Sequence, residues 1–283
     1  MPAGLKTSLL EAAKRHGVIL QGEARETAWS IVSSGNCKGK EVYVKVLSPH
    51  SDERLAPALL ELWRAGPVVR VHAASEGVHI FERLTPGTSL EEHYKATHDD
   101  ESLGVLGTIA ASLRQLGARD IGFPDARSRG RSLLVGSRPG CIDKCLWDKA
   151  ARRYSDLADS QQDIGVTHGD IHHCNVLWDA SRGWIAIDPK GVMAELEYEM
   201  ACALRNPISR VSEWVLPEQL SNRARLLART LGLREDRLLA WSFAQSILAA
   251  AWEVEDALDP SPWIVVARAY DSLIEARTTC NPD

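Results

Sequence analysis

Between His168 and Asp188 the chain sets out an aspartate, an asparagine and a second aspartate whose spacing could serve phosphoryl transfer. The stretch begins His168, Gly169, Asp170, Ile171, His172, His173, Cys174, Asn175, and an apolar run then leads to Asp188. Moving the γ-phosphate of ATP to an alcohol needs a carboxylate beside the incoming hydroxyl and two oxygen ligands that hold magnesium against the phosphates. Asp170 suits the first role, and Asn175 and Asp188 the other two. Asn175 stands five positions after Asp170, and Asp188 thirteen after Asn175. The second gap fits a β-hairpin, with strands over 176–178 and 184–187 and a turn over 179–183. Asp, Asn and His also cap helices and close Asx-turns without doing chemistry, but a second Asp at the end of an apolar strand favours the catalytic reading. His168, His172, His173 and Cys174 make a His/Cys cluster, yet no second pair such as C-x-x-C completes a tetrahedral zinc set. His168 is expected to brace the loop backbone.

The elements that must position these groups read as follows. Strands over 27–32 and 41–46 flank a polar turn over 34–39, a hairpin that could fold over phosphates or be an ordinary one. No Walker A motif is present, because Gly35 to Lys40 is one residue short and Glu41 stands where Ser or Thr should be. Lys45 lies between valines in the second strand, an awkward place for an ammonium unless an anion such as phosphate meets it. A helix over 52–64 and strands over 68–71 and 78–81 complete a small antiparallel sheet. Residues 82–87, ending Thr85-Pro86-Gly87, mark a hinge. Beyond it the apolar spacing is helical over 90–94, 103–116, 141–157, 218–231, 235–253 and 263–276. The expected fold class is α+β in two lobes: 1–81 with a small sheet and one helix, 82–87 as hinge, and 88–283 mostly α-helical. Arg127, Arg129 and Arg131 alternate with Ser128 and Gly130 and read as an exposed, mobile loop.

The motifs resemble the aminoglycoside phosphotransferases, and within them the branch holding streptomycin 6-kinases and hydroxyurea phosphotransferases. That branch carries H-G-D-L-H-H-x-N-(V/I)-L followed by G-W-L-x-I-D-P-x-G-(L/V)-x-G-E, and here stand HGDIHHCNVLWD and RGWIAIDPKGVMAELEYE. Ala194 departs from the pattern, which prefers Gly before Glu195, and its methyl could restrict the backbone or reshape the acceptor pocket. The resemblance implies a bilobal protein-kinase-like fold, ATP and Mg²⁺ as cofactors, and Lys45 on the α- and β-phosphates with a glutamate bracing it. Glu53 is the first candidate for that glutamate and Glu61 the second. Backbone groups of Glu82, Arg83 and Leu84 would meet the adenine edge. A cationic, streptomycin-like acceptor would be met by acids among Glu195, Glu197, Glu199, Glu213, Glu253, Glu255 and Asp256, with Glu195 and Glu199 as the chosen acceptor contacts. Choline- and fructosamine-type kinases share the catalytic pattern less closely.

Composition agrees with one large domain or two lobes: 283 residues, 45% apolar and 25% charged. A formal charge of −5 argues against nucleic acid as a partner and suits a small cationic acceptor. Neither a secretion signal nor a membrane-spanning run is read, and the six cysteines show no disulfide framework, so a cytoplasmic location is expected. No feature speaks to oligomeric state. The alternatives are a kinase of another small hydroxylated metabolite, hydroxyurea included, a non-catalytic nucleotide-binding regulatory module, and a protein kinase. The module would be under no chemical requirement to keep Lys45, Asp170, Asn175 and Asp188 together. The protein kinase lacks its G-x-G-x-x-G loop, and Asp-Pro-Lys-Gly replaces Asp-Phe-Gly.

Overall fold

The computed structural model describes residues 4–280 other than 28 and 118, so Ala28 of the expected first strand lies outside the described residues. The small lobe comprises α1 (Gly4–His16), β1 (Val18–Glu26), β2 (Ser30–Cys37), β3 (Lys40–Leu47), α2 (Ala56–Leu62), β4 (Val71–Ser75) and β5 (Val78–Glu82). Its five strands form one antiparallel sheet in the order β1-β2-β3-β5-β4. The β2–β3 turn is two residues, Lys38 at φ 51° and Gly39 at φ 85°, a pair of positive values that matches the twist of a tight hairpin. On β3, Val42, Val44 and Val46 face the apolar stripe of α1, Leu5, Leu9, Ala12 and Ala13, while alternation turns Lys45 to the opposite face. The small lobe therefore has two helices where one was expected. The α1 stripe recurs at helical spacing, but its short length and charged flanks hide the signal.

Two further boundaries differ from expectation. The expected helix over 52–64 begins only at Ala56, so Asp52 and Glu53 sit in the preceding turn, with the Ala56 N–H on the Glu53 carbonyl at 3.0 Å. The strand expected over 68–71 is displaced to β4. Val69 donates instead to Ala186 O at 3.0 Å in the other lobe, because a short apolar run cannot specify its partner by itself.

The large lobe follows with β6 (Pro86–Ser89), α3 (Leu90–His93), α4 (Asp99–Leu116), α5 (Ala126–Arg129), α6 (Arg131–Leu134) and α7 (Lys144–Asp159). It continues through β7 (Gly165–Thr167), β8 (Val176–Asp179), β9 (Gly183–Ala186), β10 (Val192–Ala194), α8 (Leu196–Leu204) and α9 (Val211–Trp214). Helices α10 (Pro217–Leu231), α11 (Glu235–Glu255) and α12 (Ser261–Cys280) complete it. The hairpin expected between Asn175 and Asp188 is β8–β9, with Trp178 opposite Trp184. The α11 helix runs through the core, and every residue from Arg237 to Ala251 is buried. The α8 helix is buried on all sides from Glu197 to Leu204, so it shows no amphipathic period and escapes detection. Leu59, Leu60 and Trp63, in and beside α2, join the large lobe's core, which fixes that end of the small lobe against it. Between β5 and β6 only residues 83–85 connect the lobes, tied to the β8–β9 turn by the Ala180 N–H on Thr85 O at 2.8 Å. The architecture is the expected α+β arrangement of a small antiparallel sheet lobe and a mostly helical lobe. Among the described residues no helix is long and apolar enough to cross a membrane.

Candidate active site

Strand β7 delivers the chain to a loop that is held from two sides. The His168 ring donates from Nε2 to Ile187 O at 2.9 Å, and the His168 carbonyl accepts the N–H groups of Lys190 (2.9 Å) and Gly191 (3.0 Å). This stitches the 168–175 loop to the segment carrying Asp188, the bracing role expected of His168. Burial holds the His168 imidazole down at about 4, so it stays neutral. Gly169 has φ 79°, and a Cβ there would fall 2.6 Å from Val192 Cγ2, so only glycine fits. From beneath, Glu199 of α8 accepts the Gly169 N–H at 2.7 Å and the Ile171 N–H at 3.1 Å.

Asp170 points into a cavity, its side chain 27% exposed. Asn175 Nδ2 donates to Asp170 O at 2.9 Å and to Oδ2 at 3.1 Å, which leaves the Asn175 carbonyl oxygen as the end for a cation. Cys202 places its thiol 3.6 Å from Asp170 Oδ1. Burial pushes the Asp170 carboxyl up, but His172, Lys190, Arg205 and His168 around it more than offset this and hold it below the ordinary value.

A line of alternating charges runs from this loop across the cleft. Asp188, at φ 55°, sets Oδ1 2.9 Å from Lys45 Nζ, and Lys45 also contacts Glu53. Glu53 contacts Lys190 at 2.6 Å, Lys190 contacts Asp52 at 3.1 Å, and Asp52 contacts Arg129 at 2.6 Å. Arg129 stacks over Trp252 at 5.1 Å. The structure thus brings Lys45, Glu53 and Asp188 together. Glu61, the second candidate, pairs at the surface with Arg64 at 3.3 Å. Lys190, Asp52 and Arg129 escaped the reading of the sequence. For Lys190 the signal was its place in Asp-Pro-Lys-Gly. Arg129, expected on an exposed loop, has a side chain only 17% exposed, because Asp125 caps α5 through the Ser128 N–H at 2.7 Å and turns the arginine inward.

Two cavities meet at the loop. The first, about 720 Å³, is lined among others by Thr27, Ser33, Lys45, Glu82, Leu84 and Asp188. The β1–β2 connection borders it through Thr27. The β2–β3 hairpin, which could fold over phosphates or be an ordinary one, lines it through Ser33, Ser34, Tyr43 and Lys45, while its two turn residues Lys38 and Gly39 do not. At the hinge the Glu82 N–H donates to Arg70 O (3.0 Å) and the Arg83 N–H to Glu41 O (3.1 Å). The Glu82 carboxylate is taken by the Arg70 N–H at 2.7 Å and by Arg182.

The second cavity, about 480 Å³, is lined among others by Asp170, Lys190, Glu253, Glu255 and Asp256, with the indoles of Trp29, Trp252 and Trp263. Both cavities touch Glu91 and Cys174. Glu195 and Glu199, the two acids chosen as acceptor contacts, do not line it. Glu195 is 1% exposed and accepts from Arg237, the Trp241 indole and the Gln162 N–H. Glu199 braces the loop as described, and burial pushes its carboxyl up to about 7. A charge without outlet to solvent in an all-buried helix serves packing and hydrogen bonding rather than a ligand. Glu197 pairs with Arg234 at 3.7 Å and Glu213 with Arg210 at 3.0 Å. Ala194 keeps regular strand geometry opposite Gly165, so its methyl does not restrict the backbone, and it is buried away from the second cavity.

Comparison with known proteins places this geometry. Residues 15–257 match the family model described as aminoglycoside/hydroxyurea antibiotic resistance kinase. A streptomycin 3''-kinase from Klebsiella pneumoniae is 31% identical over 208 residues, 72% of this chain and 77% of that protein. A streptomycin 6-kinase from Streptomyces griseus is 25% identical over 87% of this chain and 80% of its own. A hydroxyurea phosphotransferase from Kitasatospora aureofaciens is 28% identical over 89% of this chain and 74% of its own. In fold, the chain is similar to a thermostable mutant of the aminoglycoside phosphotransferase APH(4)-Ia crystallised with ADP and hygromycin B, with TM-score 0.64, 15% identity, and coverage of 95% of this chain and 98% of that one. The choline kinase LicA from Streptococcus pneumoniae gives TM-score 0.65 at 14% identity, covering 96% of this chain and 98% of that one. The fold is therefore kinase-like, and the chain belongs to the aminoglycoside/hydroxyurea antibiotic resistance kinase family, a phosphotransferase with an alcohol group as acceptor.

Proposed function

We propose that the protein moves the γ-phosphoryl group of ATP to a hydroxyl of a streptomycin-like, cationic aminoglycoside in the cytoplasm. The observation that carries this reading is the second cavity, which Asp170 shares with Glu253, Glu255, Asp256 and three indoles. Guanidinium or ammonium groups pair with the acids and stack on the indoles, which leaves a hydroxyl for Asp170. The acceptor oxygen bonds to Pγ as the bond from Pγ to the bridging oxygen of ADP breaks, and the hydroxyl proton passes to the Asp170 carboxylate. The transition state is loose, so the value of Asp170 is mainly positional.

Residues 1–81 form the nucleotide lobe, 82–87 the hinge and 88–283 the lobe of catalysis and acceptor binding. Lys45, held by Glu53, meets the α- and β-phosphates. Leu84, whose neighbours Glu82 and Arg83 have committed their N–H groups, meets the adenine edge together with the Glu82 carbonyl. The Asn175 carbonyl oxygen and the Asp188 carboxylate fit Mg²⁺, as hard oxygen donors that leave most of the coordination shell to water and phosphate. Bound there, the cation would neutralise charge on the phosphates.

A hydroxyurea-type acceptor is the second reading, favoured by the relative that aligns over 276 residues. ATP consumption and product mass, measured with Mg²⁺ against streptomycin, other aminoglycosides and hydroxyurea, separate the two. The expected result is an acceptor-dependent product heavier by about 80 Da, one phosphoryl group, whose formation falls by roughly 10²–10⁴-fold in Asp170→Asn. Nucleotide binding without product from any acceptor would move the reading to a non-catalytic module.

A further inference from the structure

Two ammonium groups share one carboxylate at the junction of the cavities. Glu53 contacts Lys45 through Oε2 and Lys190 through Oε1, the latter at 2.6 Å. Lys45 faces the nucleotide cavity, whereas Lys190 lines the acceptor cavity beside Asp170. The Lys190 side chain is 16% exposed, its second carboxylate is Asp52 at 3.1 Å, and its backbone is pinned to the catalytic loop by the 2.9 Å bond to His168 O.

Three cations, Lys45, Lys190 and Arg129, are set against Asp52, Glu53 and Asp188 in this line. With Asp170 facing Lys190 and Arg129, three carboxylates still answer three cations when Asp188 turns to a metal. A phosphoryl group that crosses from the nucleotide cavity to Asp170 then brings further negative charge beside Lys190, and its oxygens need a cation there. Of the three cations, Lys45 faces the nucleotide side and Arg129 is committed to Asp52 and the Trp252 ring, which leaves Lys190 as the one beside Asp170 between the two cavities.

We infer that Lys190 is a second catalytic cation, whose ammonium leaves its shared carboxylates to donate to the oxygens of the phosphoryl group in flight. It keeps its proton throughout. The bond from the acceptor oxygen to Pγ forms, the bond from Pγ to ADP breaks, and the acceptor proton goes to Asp170, while Lys190 stabilises the charge spread over the transferring group. The inference rests on the proposed function, since it needs ATP in the first cavity and a hydroxyl in the second.

The test is steady-state kinetics of wild type, Lys190→Met and Lys190→Arg with the acceptor that the wild type phosphorylates, together with ADP affinity. Removing one preorganised donor to a transition state costs on the order of 10²–10³ in kcat, and that is the loss expected for Lys190→Met, with ADP affinity and both KM values within about threefold of wild type. Lys190→Arg keeps the charge and its pairing but moves the donor, so kcat should stand between the two at unchanged KM. If Lys190→Met does not fold, Lys190→Arg still decides: its kcat within about threefold of wild type overturns the inference. So does a Lys190→Met variant whose KM values rise as much as its kcat falls, the signature of a brace between lobes. A wild type that phosphorylates no acceptor would overturn the proposed function, and this inference with it.

Discussion

The Trp29 indole donates from Nε1 to Asp256 Oδ2 at 3.0 Å, joining residues 227 positions apart. Trp29 lies in the β1–β2 connection, which borders the nucleotide cavity through Thr27, and Asp256 directly follows α11 in the acceptor cavity wall. One hairpin therefore borders both cavities, and its position affects acceptor and nucleotide together.

Trp29→Phe keeps an aromatic face and removes the N–H. One hydrogen bond to a carboxylate is worth about 1.5–3 kcal/mol at most and less at this exposed rim, so the acceptor KM should rise by roughly 3–10-fold. Asp256→Asn should raise KM for a cationic aminoglycoside and leave a neutral hydroxyurea-type acceptor unaffected. Equal KM values for wild type and both variants would remove the rim from the acceptor site.

Glu199 carries a pH dependence whose sign follows from burial. Its carboxyl is pushed from 4.5 up to about 7, so the folded state binds its proton more tightly than the unfolded chain. Its contribution to stability is full below about 4.5 and is lost as pH rises through about 7. His168, held at about 4 against 6.5, acts in the opposite sense, lending stability above 6.5 that is lost as pH falls toward 4. In wild type the two slopes oppose each other between about 4.5 and 6.5. Glu199→Gln removes one of them, so its stability in denaturant should climb more steeply with pH over that window. Parallel pH profiles for variant and wild type would show that Glu199 is ionised normally.

Gly191 follows the Asp-Pro-Lys run at φ 71°, and a Cβ there would stand 2.5 Å from Phe123 Cδ1 and 3.1 Å from Leu59 Cδ2. Gly191→Ala combines a left-handed backbone with overpacking against α2, a cost of about 1–3 kcal/mol. Thermal unfolding should shift down by roughly 2–10 °C. An unshifted midpoint would mean that the segment between Asp188 and β10 yields without cost.

Asp188→Asn replaces the carboxylate proposed to hold Mg²⁺ with a neutral amide and removes the charge that Lys45 meets at 2.9 Å. The Mg²⁺ concentration for half-maximal turnover should rise by at least about tenfold, while chelation of the metal should stop turnover in wild type. Turnover that ignores both the chelator and the substitution would exclude Asp188 as a metal ligand.

The sequence by itself determined what depends on short separations. Asp170, Asn175 and Asp188 fall on one loop and one hairpin, and alternation along β3 sets Lys45 apart from the valines that meet α1. Helices α4, α7, α10 and α12 announce themselves by apolar spacing, since each has a face that must be buried, and α11, buried from Arg237 to Ala251, by the length of its apolar run. Tertiary structure decided what depends on distant partners. Asp52 meets Arg129 across 77 positions and Glu53 meets Lys190 across 137, so neither pair leaves a local pattern. Glu195 and Glu199 look like their exposed neighbours in sequence, and only the all-buried α8 turns them inward as braces while Glu253, Glu255 and Asp256 keep the cavity wall. Which part of the β2–β3 hairpin faces the nucleotide cavity was open for the same reason: turn residues mark where a chain reverses, but which residues face the cleft depends on how the sheet packs against the other lobe.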